Sequence, residues 1–329
     1  MYNHKLVLAF FISFSLFLFL NKNDNGQSVL VTIQKDEPLS IVSNRLKKEK
    51  VIKSKRLFLI YTKLKRLDTS IQPGTFSLHT NQRYRDILTT ITTSSEAIDT
   101  IKVVIPEGFT VEEIANRLNN LNIVKKDEFL QAVNNQALLP KEYKDFFQKE
   151  EQMKYFFEGY LYPDTYFFQQ NMTGDEVVET FLNRFIQVIQ SIDKPDELTH
   201  LEWVILASVI EKEAAVTLEK KRISGVFYNR MREGWKLESC ATVQYGLNER
   251  KEHLLLEDLQ IESEYNTYLY KGLPIGPISN PGKQSLEAAS QPESHSYFFF
   301  VTKKDGTKTH YFSKTLEEHR KYTDKSGNE

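Results

Sequence analysis

The sequence predicts an α+β protein built as an N-terminal membrane anchor, small repeated strand–helix–helix modules, and a C-terminal domain of mixed α/β structure. The first observation behind this is an uncharged apolar run near the N-terminus, and the second is an internal repeat in the first half. The third is a distal half in which helical periodicities precede a Gly/Pro-rich loop and a hairpin. At 329 residues the chain is longer than an average domain, with apolar material enough for a sizeable core.

Leu6 to Leu20 contains no charged residue; Lys5 precedes it and Asn21-Lys22-Asn23-Asp24 follows. As a helix rising about 1.5 Å per residue, Met1 to Leu20 just spans a hydrocarbon core of roughly 30 Å. A cleaved signal peptide is the other reading, but the polar flank after the run offers no A-x-A-like pair of small residues where the peptidase would need one. The expected unit is therefore a signal anchor over 1–24, with its helix at 6–20 and everything beyond outside the cytoplasm. Forty-three basic and forty-four acidic side chains nearly cancel, so no concentrated basic surface for nucleic acid is expected. The single cysteine, Cys240, excludes an internal disulfide and is expected to be a small core residue.

Beyond the anchor the chain repeats at a displacement of 72 positions. Ile33 falls on Ile105, Leu39 on Val111, Val42 on Ile114, Asn44-Arg45-Leu46 on Asn116-Arg117-Leu118, Val51-Ile52 on Ile123-Val124, and Leu57-Phe58 on Phe129-Leu130. Each copy reads strand, turn, helix, link, helix. In the second, Lys102 to Ile105 is strand-like, Pro106-Glu107-Gly108 turns, and Thr110 with Glu113 forms a capping box ahead of Ile114, Leu118 and Leu121. Such modules resemble LysM-like glycan-binding units; for the first copy a spacer is the other reading. The expected divisions are a membrane-proximal module over 28–100, a LysM-like module over 101–150, and a distal domain over 155–329. Gln72 to Leu78 is a turn into a strand, Tyr84 to Ile91 a helix, and Lys141 to Lys154 a charged seam. The distal domain should hold helices over Asp175 to Gln190 and Thr199 to Ala215, a loop region from Tyr265 to Gly282, and a hairpin of Tyr297 to Thr302 with Thr309 to Phe312.

The helix from Thr199 is the most informative segment. Thr199 and Glu202 form its capping box, and Trp203 to Ile210 are apolar or small on every side, so the helix must be buried all round. Glu211 and Glu213 then close it, about 200° apart around the axis, facing different surroundings. A carboxyl there is pushed toward its protonated form by desolvation and by the negative end of the helix dipole, as a general acid requires. Alternatively both glutamates pair with Lys212, Lys220, Lys221 or Arg222.

Several further segments recur in order: Glu158-Gly159-Tyr160-Leu161-Tyr162-Pro163-Asp164-Thr165-Tyr166, Ala207-Ser208-Val209-Ile210-Glu211-Lys212-Glu213, Val226-Phe227-Tyr228-Asn229-Arg230, Ala241-Thr242-Val243-Gln244-Tyr245-Gly246, Tyr265-Asn266-Thr267-Tyr268, and Gly272 to Ile278 with Pro281-Gly282. Together they resemble the endolytic murein transglycosylase (YceG-like) family over essentially the whole chain. The resemblance implies a single-pass protein of the bacterial cytoplasmic (inner) membrane with a lytic transglycosylase domain outside. Its substrate would be peptidoglycan glycan strands, cut between N-acetylmuramic acid and N-acetylglucosamine to leave 1,6-anhydro ends and terminate strand elongation. It implies membrane-bound synthases (penicillin-binding proteins) as partners, and neither cofactor nor metal.

The family's acid falls in the Glu-Lys-Glu triplet and is assigned to Glu213, with Glu211 as the supporting or alternative acid. Thr242, Tyr245, Tyr265, Asn266 and Tyr268 are the candidate sugar contacts; core packing is the other reading of the tyrosines. Some members carry Asp-Pro where this chain has Cys240-Ala241, so any role of that aspartate is absent here. One acid suffices for this chemistry, because the muramic acid's own C6 hydroxyl replaces water as the nucleophile. The rivals are a hydrolase acting on the same glycan and a non-catalytic wall-binding scaffold that recruits synthases. Tyr155-Phe156-Phe157 and Tyr166-Phe167-Phe168 are expected mainly in the core. His295, His310 and His319 are too scattered for a zinc signature, and neither a Gly-x-Ser-x-Gly elbow nor a P-loop is present.

Overall fold

The computed structural model describes residues 26–34, 37–93, 100–144, 146–147, 150–247, 251 and 254–327. The expected anchor at 6–20 lies outside them; among the described residues no helix is long and apolar enough to cross a membrane.

The first repeat copy has five elements: β1 (Ser28–Ile33), α1 (Leu39–Lys48), α2 (Lys55–Leu64), β2 (Gly74–His79) and α3 (Tyr84–Thr92). β1 and β2 pair antiparallel, Ser28 opposite His79 and Ile33 opposite Gly74. Alternation puts Val31 and Ile33 of β1 on the inner face, where they meet Val42 and Leu46 of α1, Phe58 of α2, and Ile87 and Leu88 of α3.

The second copy repeats this plan as β3 (Ile101–Val104), α4 (Val111–Asn120), α5 (Lys126–Ala132), β4 (Thr165–Phe168), which pairs with β3, and α6 (Gly174–Ile189). The 72-residue displacement holds at both ends of the first helix: Leu39 falls on Val111 and Lys48 on Asn120. It also has a structural cause. Both helices stop at a left-handed residue, Lys50 (φ 57°) and Asn122 (φ 54°). In each, the next residue donates back, Val51 N–H to Leu46 O and Ile123 N–H to Leu118 O. Arg45 and Arg117 then reach from the helix to the preceding strand, donating to Thr32 O and Val104 O respectively.

The register changes twice beyond this point. The fully buried aromatic of the second helix is Phe58 in one copy and Phe129 in the other, a slip of one residue from the ungapped alignment. From β2 and β4 onward the displacement is 90. Pro73-Gly74-Thr75-Phe76 then falls on Pro163-Asp164-Thr165-Tyr166, and helix starts Tyr84 and Gly174 coincide. Asn81 (φ 59°) and Asn171 (φ 57°) donate to the carbonyls of Lys50 and Asn122. The repeat is thus a five-element βααβα unit with an insertion before β4 in the second copy, longer than the three elements read from sequence.

The described residues fall into two compact units: those up to Lys102 with Phe167–Gln169, and Val103 to Tyr166 with everything from Gln170. Most of the second copy therefore belongs with the distal domain, whereas the sequence put a seam at Lys141 to Lys154. The cause is hydrogen bonding: Gly108 N–H donates to Asn280 O at 2.9 Å, Asn280 N–H to Phe109 O at 2.8 Å, and Val111 N–H to the Glu158 carboxylate at 3.1 Å. A protein starting at Tyr155 leaves these buried groups unpaired, at about 1–3 kcal/mol each. We expect residues 100–329 to melt cooperatively and residues 155–329 not to, by circular dichroism; a cooperative melt of the shorter fragment would return the boundary to 155.

At the centre of the second unit lies α7 (His200–Glu213), capped by the Thr199–Glu202 box. Leu201 and Trp203 to Ile210 are all buried, each large apolar side chain contributing roughly 1.5–3 kcal/mol. Around it lie α8 (Lys220–Arg232), α9 (Cys240–Gly246) and α10 (Lys283–Ser290). Trp203 Nε1 donates to Leu286 O at 3.0 Å, and Ser208 ties down the Pro-rich loop by accepting from Ile278 N–H at 3.0 Å. Gly159 passes beside α7 with φ 88°, where a Cβ would come within 2.6 Å of Pro277 and 2.8 Å of Val204. The hairpin of β5 (Phe299–Thr302) and β6 (His310–Ser313) and helix α11 (Leu316–Ser326) complete the unit. Phe156, Phe157, Tyr160, Tyr166 and Phe168 are buried, as the sequence leads one to expect.

Candidate active site

The two glutamates at the end of α7 have different surroundings. Glu211 turns inward. Its carboxylate accepts from Gly282 N–H at 3.0 Å, Ser285 Oγ at 2.6 Å and Lys220 Nζ at 3.0 Å. The ion pair is nearly closed to solvent, its side chains 7 % and 5 % exposed. This is the pairing that the sequence allowed for both residues, realised for one. Lys212 donates to Gly108 O at 3.2 Å.

Glu213 points elsewhere, to the floor of a cavity of about 560 Å³ lying wholly within the second unit. Ser239 Oγ donates to it at 2.5 Å, and the Ala241 backbone adds a second hydrogen bond. Burial raises its pKa above the ordinary carboxylate value. The Ser239 bond, His310, the Ala241 bond and Arg230 oppose the shift without cancelling it. Arg230 is fixed by Phe298 O at 2.7 Å and Leu237 O at 2.8 Å. The cavity's other carboxylate, Glu238, is ion-paired with Arg230 at 3.3 Å. Tyr268 and Cys240 line the same cavity, the hydroxyl 3.2 Å from the thiol. Cys240 is exposed, not a core residue as the sequence suggested.

A second cavity, of about 220 Å³, shares Lys212 with the first and is lined by Tyr155, Lys154 and Tyr245. Behind it lies Glu158, 1 % exposed. Three donors converge on that carboxylate: Val111 N–H at the start of α4, Tyr245 Oη and Asn280 Nδ2. Burial outweighs them and pushes its pKa to about 7. Helix α9 thus touches both acids, Glu213 through Ser239 and Ala241 at its start and Glu158 through Tyr245 near its end.

Of the five expected sugar contacts, the structure brings Tyr268 into the cavity of Glu213 and Tyr245 into the neighbouring one. Thr242 and Asn266 are fully buried. Thr242 bonds Ser239 O and Thr267, and Asn266 holds the carbonyls of Leu259 and Ile261 while accepting from Tyr268 N–H at 2.9 Å. Tyr265, 6 % exposed, accepts from Lys154 N–H at 3.1 Å and packs edge-on to Tyr245. These three shape the walls from behind. Sequence reasoning passed over Glu158, Arg230 and His310. Glu158 had a legible signal, a lone charge inside the apolar run Phe156 to Leu161.

A carboxyl biased toward protonation, at the floor of an open cavity and, among the described residues, without a second free carboxylate beside it, defines a single-acid site. The YceG-like family profile matches residues 31–325, and the chain belongs to that family. It is similar to the endolytic murein transglycosylase of Bacillus subtilis (strain 168), 29 % identical over 314 residues, 92 % of this chain and 86 % of that protein. The endolytic murein transglycosylase of Streptococcus pneumoniae (strain R6) is 26 % identical over 320 residues; the match covers 88 % of this chain and 57 % of that longer protein. A crystal structure of a yceG-like protein of Listeria monocytogenes superposes with a TM-score of 0.59 at 30 % identity, over 89 % of this chain and 98 % of that one.

Proposed function

We propose that the protein is an endolytic peptidoglycan lytic transglycosylase, with Glu213 as the acid. The observation that carries this is the protonation-biased Glu213 carboxyl in its cavity; the names of the relatives support it. Glu213 protonates the oxygen between N-acetylmuramic acid and N-acetylglucosamine, and the muramic acid's C6 hydroxyl closes on C1 in place of water. The strand is left with a 1,6-anhydro end and elongates no further. Tyr268 and Arg230 are the cavity groups suited to hold the sugar, and Tyr245 faces the adjoining space. Glu211 supports the helix end through Lys220.

The apolar run at 6–20 supports a single-pass anchor in the bacterial cytoplasmic membrane, with the two units outside. The βααβα copies we read as LysM-like modules that place glycan, and membrane-bound synthases as partners of a strand-terminating enzyme. The deciding experiment treats purified peptidoglycan with a soluble form lacking residues 1–20 and analyses the products by mass spectrometry. Anhydro-muramyl ends are expected. Reducing ends alone would make the protein a hydrolase, and no cleavage would make it a wall-binding scaffold.

A further inference from the structure

The wall of the Glu213 cavity includes an imidazole, His310, held from behind by the carboxylate of Glu219, and the single-acid mechanism leaves this pair unused. Glu219, immediately before α8, turns its carboxylate to His310, the first residue of β6. It accepts the His310 backbone N–H at 3.1 Å and stands 2.7 Å from Nδ1; the side chains are 11 % and 4 % exposed. A carboxylate that accepts from the ring puts a hydrogen on Nδ1, and in the neutral imidazole this leaves the lone pair on Nε2, at the far edge of the ring. Among the described residues Nε2 has no hydrogen-bond partner, and the ring lines the same cavity as Glu213. Phe300 meets the ring edge-on at 5.4 Å and restricts its rotation.

We infer that His310, oriented by Glu219, is a second catalytic residue, the base that takes the proton from the attacking C6 hydroxyl. The inference rests on the proposed reading of Glu213 as the acid. The C1–O bond to the leaving sugar breaks as Glu213 gives its proton to that oxygen. O6 bonds to C1, and the O6 proton passes to Nε2, forming an imidazolium that Glu219 stabilises. The imidazolium then returns one proton to the Glu213 carboxylate through solvent, restoring both groups with no water consumed. Acid and base are thus in place together, and Glu213 need not swing from one oxygen to the other within a single turnover.

His310→Asn tests this, because the asparagine amide keeps a donor for Glu219 and lacks anything at the Nε2 position. The variant should melt as the wild type does. Its kcat should fall roughly 10²- to 10⁴-fold with KM little changed. Among its residual products the anhydro fraction should drop in favour of reducing ends, as water competes with a C6 hydroxyl that has lost its base. Wild-type kcat and anhydro fraction would overturn the inference while leaving the Glu213 reading intact, provided Glu213→Gln is inactive. Full activity of Glu213→Gln would overturn that reading instead. If His310→Asn melts lower, Glu219→Gln decides: a smaller fall in kcat with the same drop in anhydro fraction supports the base, and an unchanged product ratio refutes it.

Discussion

Glu213→Gln should lower turnover by roughly 10²- to 10⁴-fold and leave the melting temperature near that of the wild type, since the amide keeps the shape but has no proton to deliver. Glu211→Gln should do the reverse. It strips the negative charge from a pair whose other member, Lys220, is 4 % exposed and keeps, among the described residues, only Glu107, at 3.6 Å and half-exposed, as a counter-charge; leaving such a charge wholly unpaired costs about 3–5 kcal/mol, which is the upper bound here. Urea denaturation and turnover, measured on both variants, separate the roles. The pH profile adds a signature. The Glu213 pKa is raised in the folded protein, so the competent protonated form is lost as pH rises, and activity should fall on the alkaline side. That limb should be missing from the residual activity of Glu213→Gln. A stable, inactive Glu211→Gln beside an active Glu213→Gln would exchange the two assignments.

The second large effect is on stability and comes from Glu158. Its folded pKa is about 7 against an ordinary 4.5, so the native state binds the proton more tightly than the unfolded chain does. Stability is therefore greatest below the unfolded value. It falls as pH rises between the two values and stays low above the folded one, a loss of roughly 3 kcal/mol in all. Glu158→Gln cannot ionise and should lack this decline. At acid pH it should be the less stable protein, because one amide oxygen must serve three donors. The urea midpoints of variant and wild type should converge on going from about pH 5 to pH 8. Parallel curves would mean that Glu158 stays ionised throughout and that its three donors outweigh burial.

Much of this protein could be read from local pattern. The Thr199–Glu202 and Thr110–Glu113 boxes form, the all-apolar helix is buried all round, and the closing hairpin pairs Phe299 with Ser313. The divergence of Glu211 and Glu213 needed only helix geometry. What escaped depended on distance along the chain. Glu219 and His310 lie 91 positions apart, and no periodicity links a turn before a helix to the first residue of a strand. The repeat was cut short for a similar reason: its last two elements align only at 90, once the insertion before β4 is allowed for. Thr242, Asn266 and Tyr265 belong to motifs, and a motif does not say whether a side chain faces a cavity or supports the residue that does.

The helix starts of the two copies suggest how duplication was put to use. In α1 the position before the first residue is Pro38, with no side-chain cap; at the matching place in α4 stands Thr110, inside a full capping box, with the Glu158 carboxylate on the next N–H. The same helix start thus does two jobs: in one copy it only begins a helix, and in the other it also holds a buried acid. A change at Pro38 or Leu39 disturbs one helix end alone, whereas at Thr110 it reaches the wall of the cavity beside that of Glu213, and at Val111 a donor to the Glu158 carboxylate.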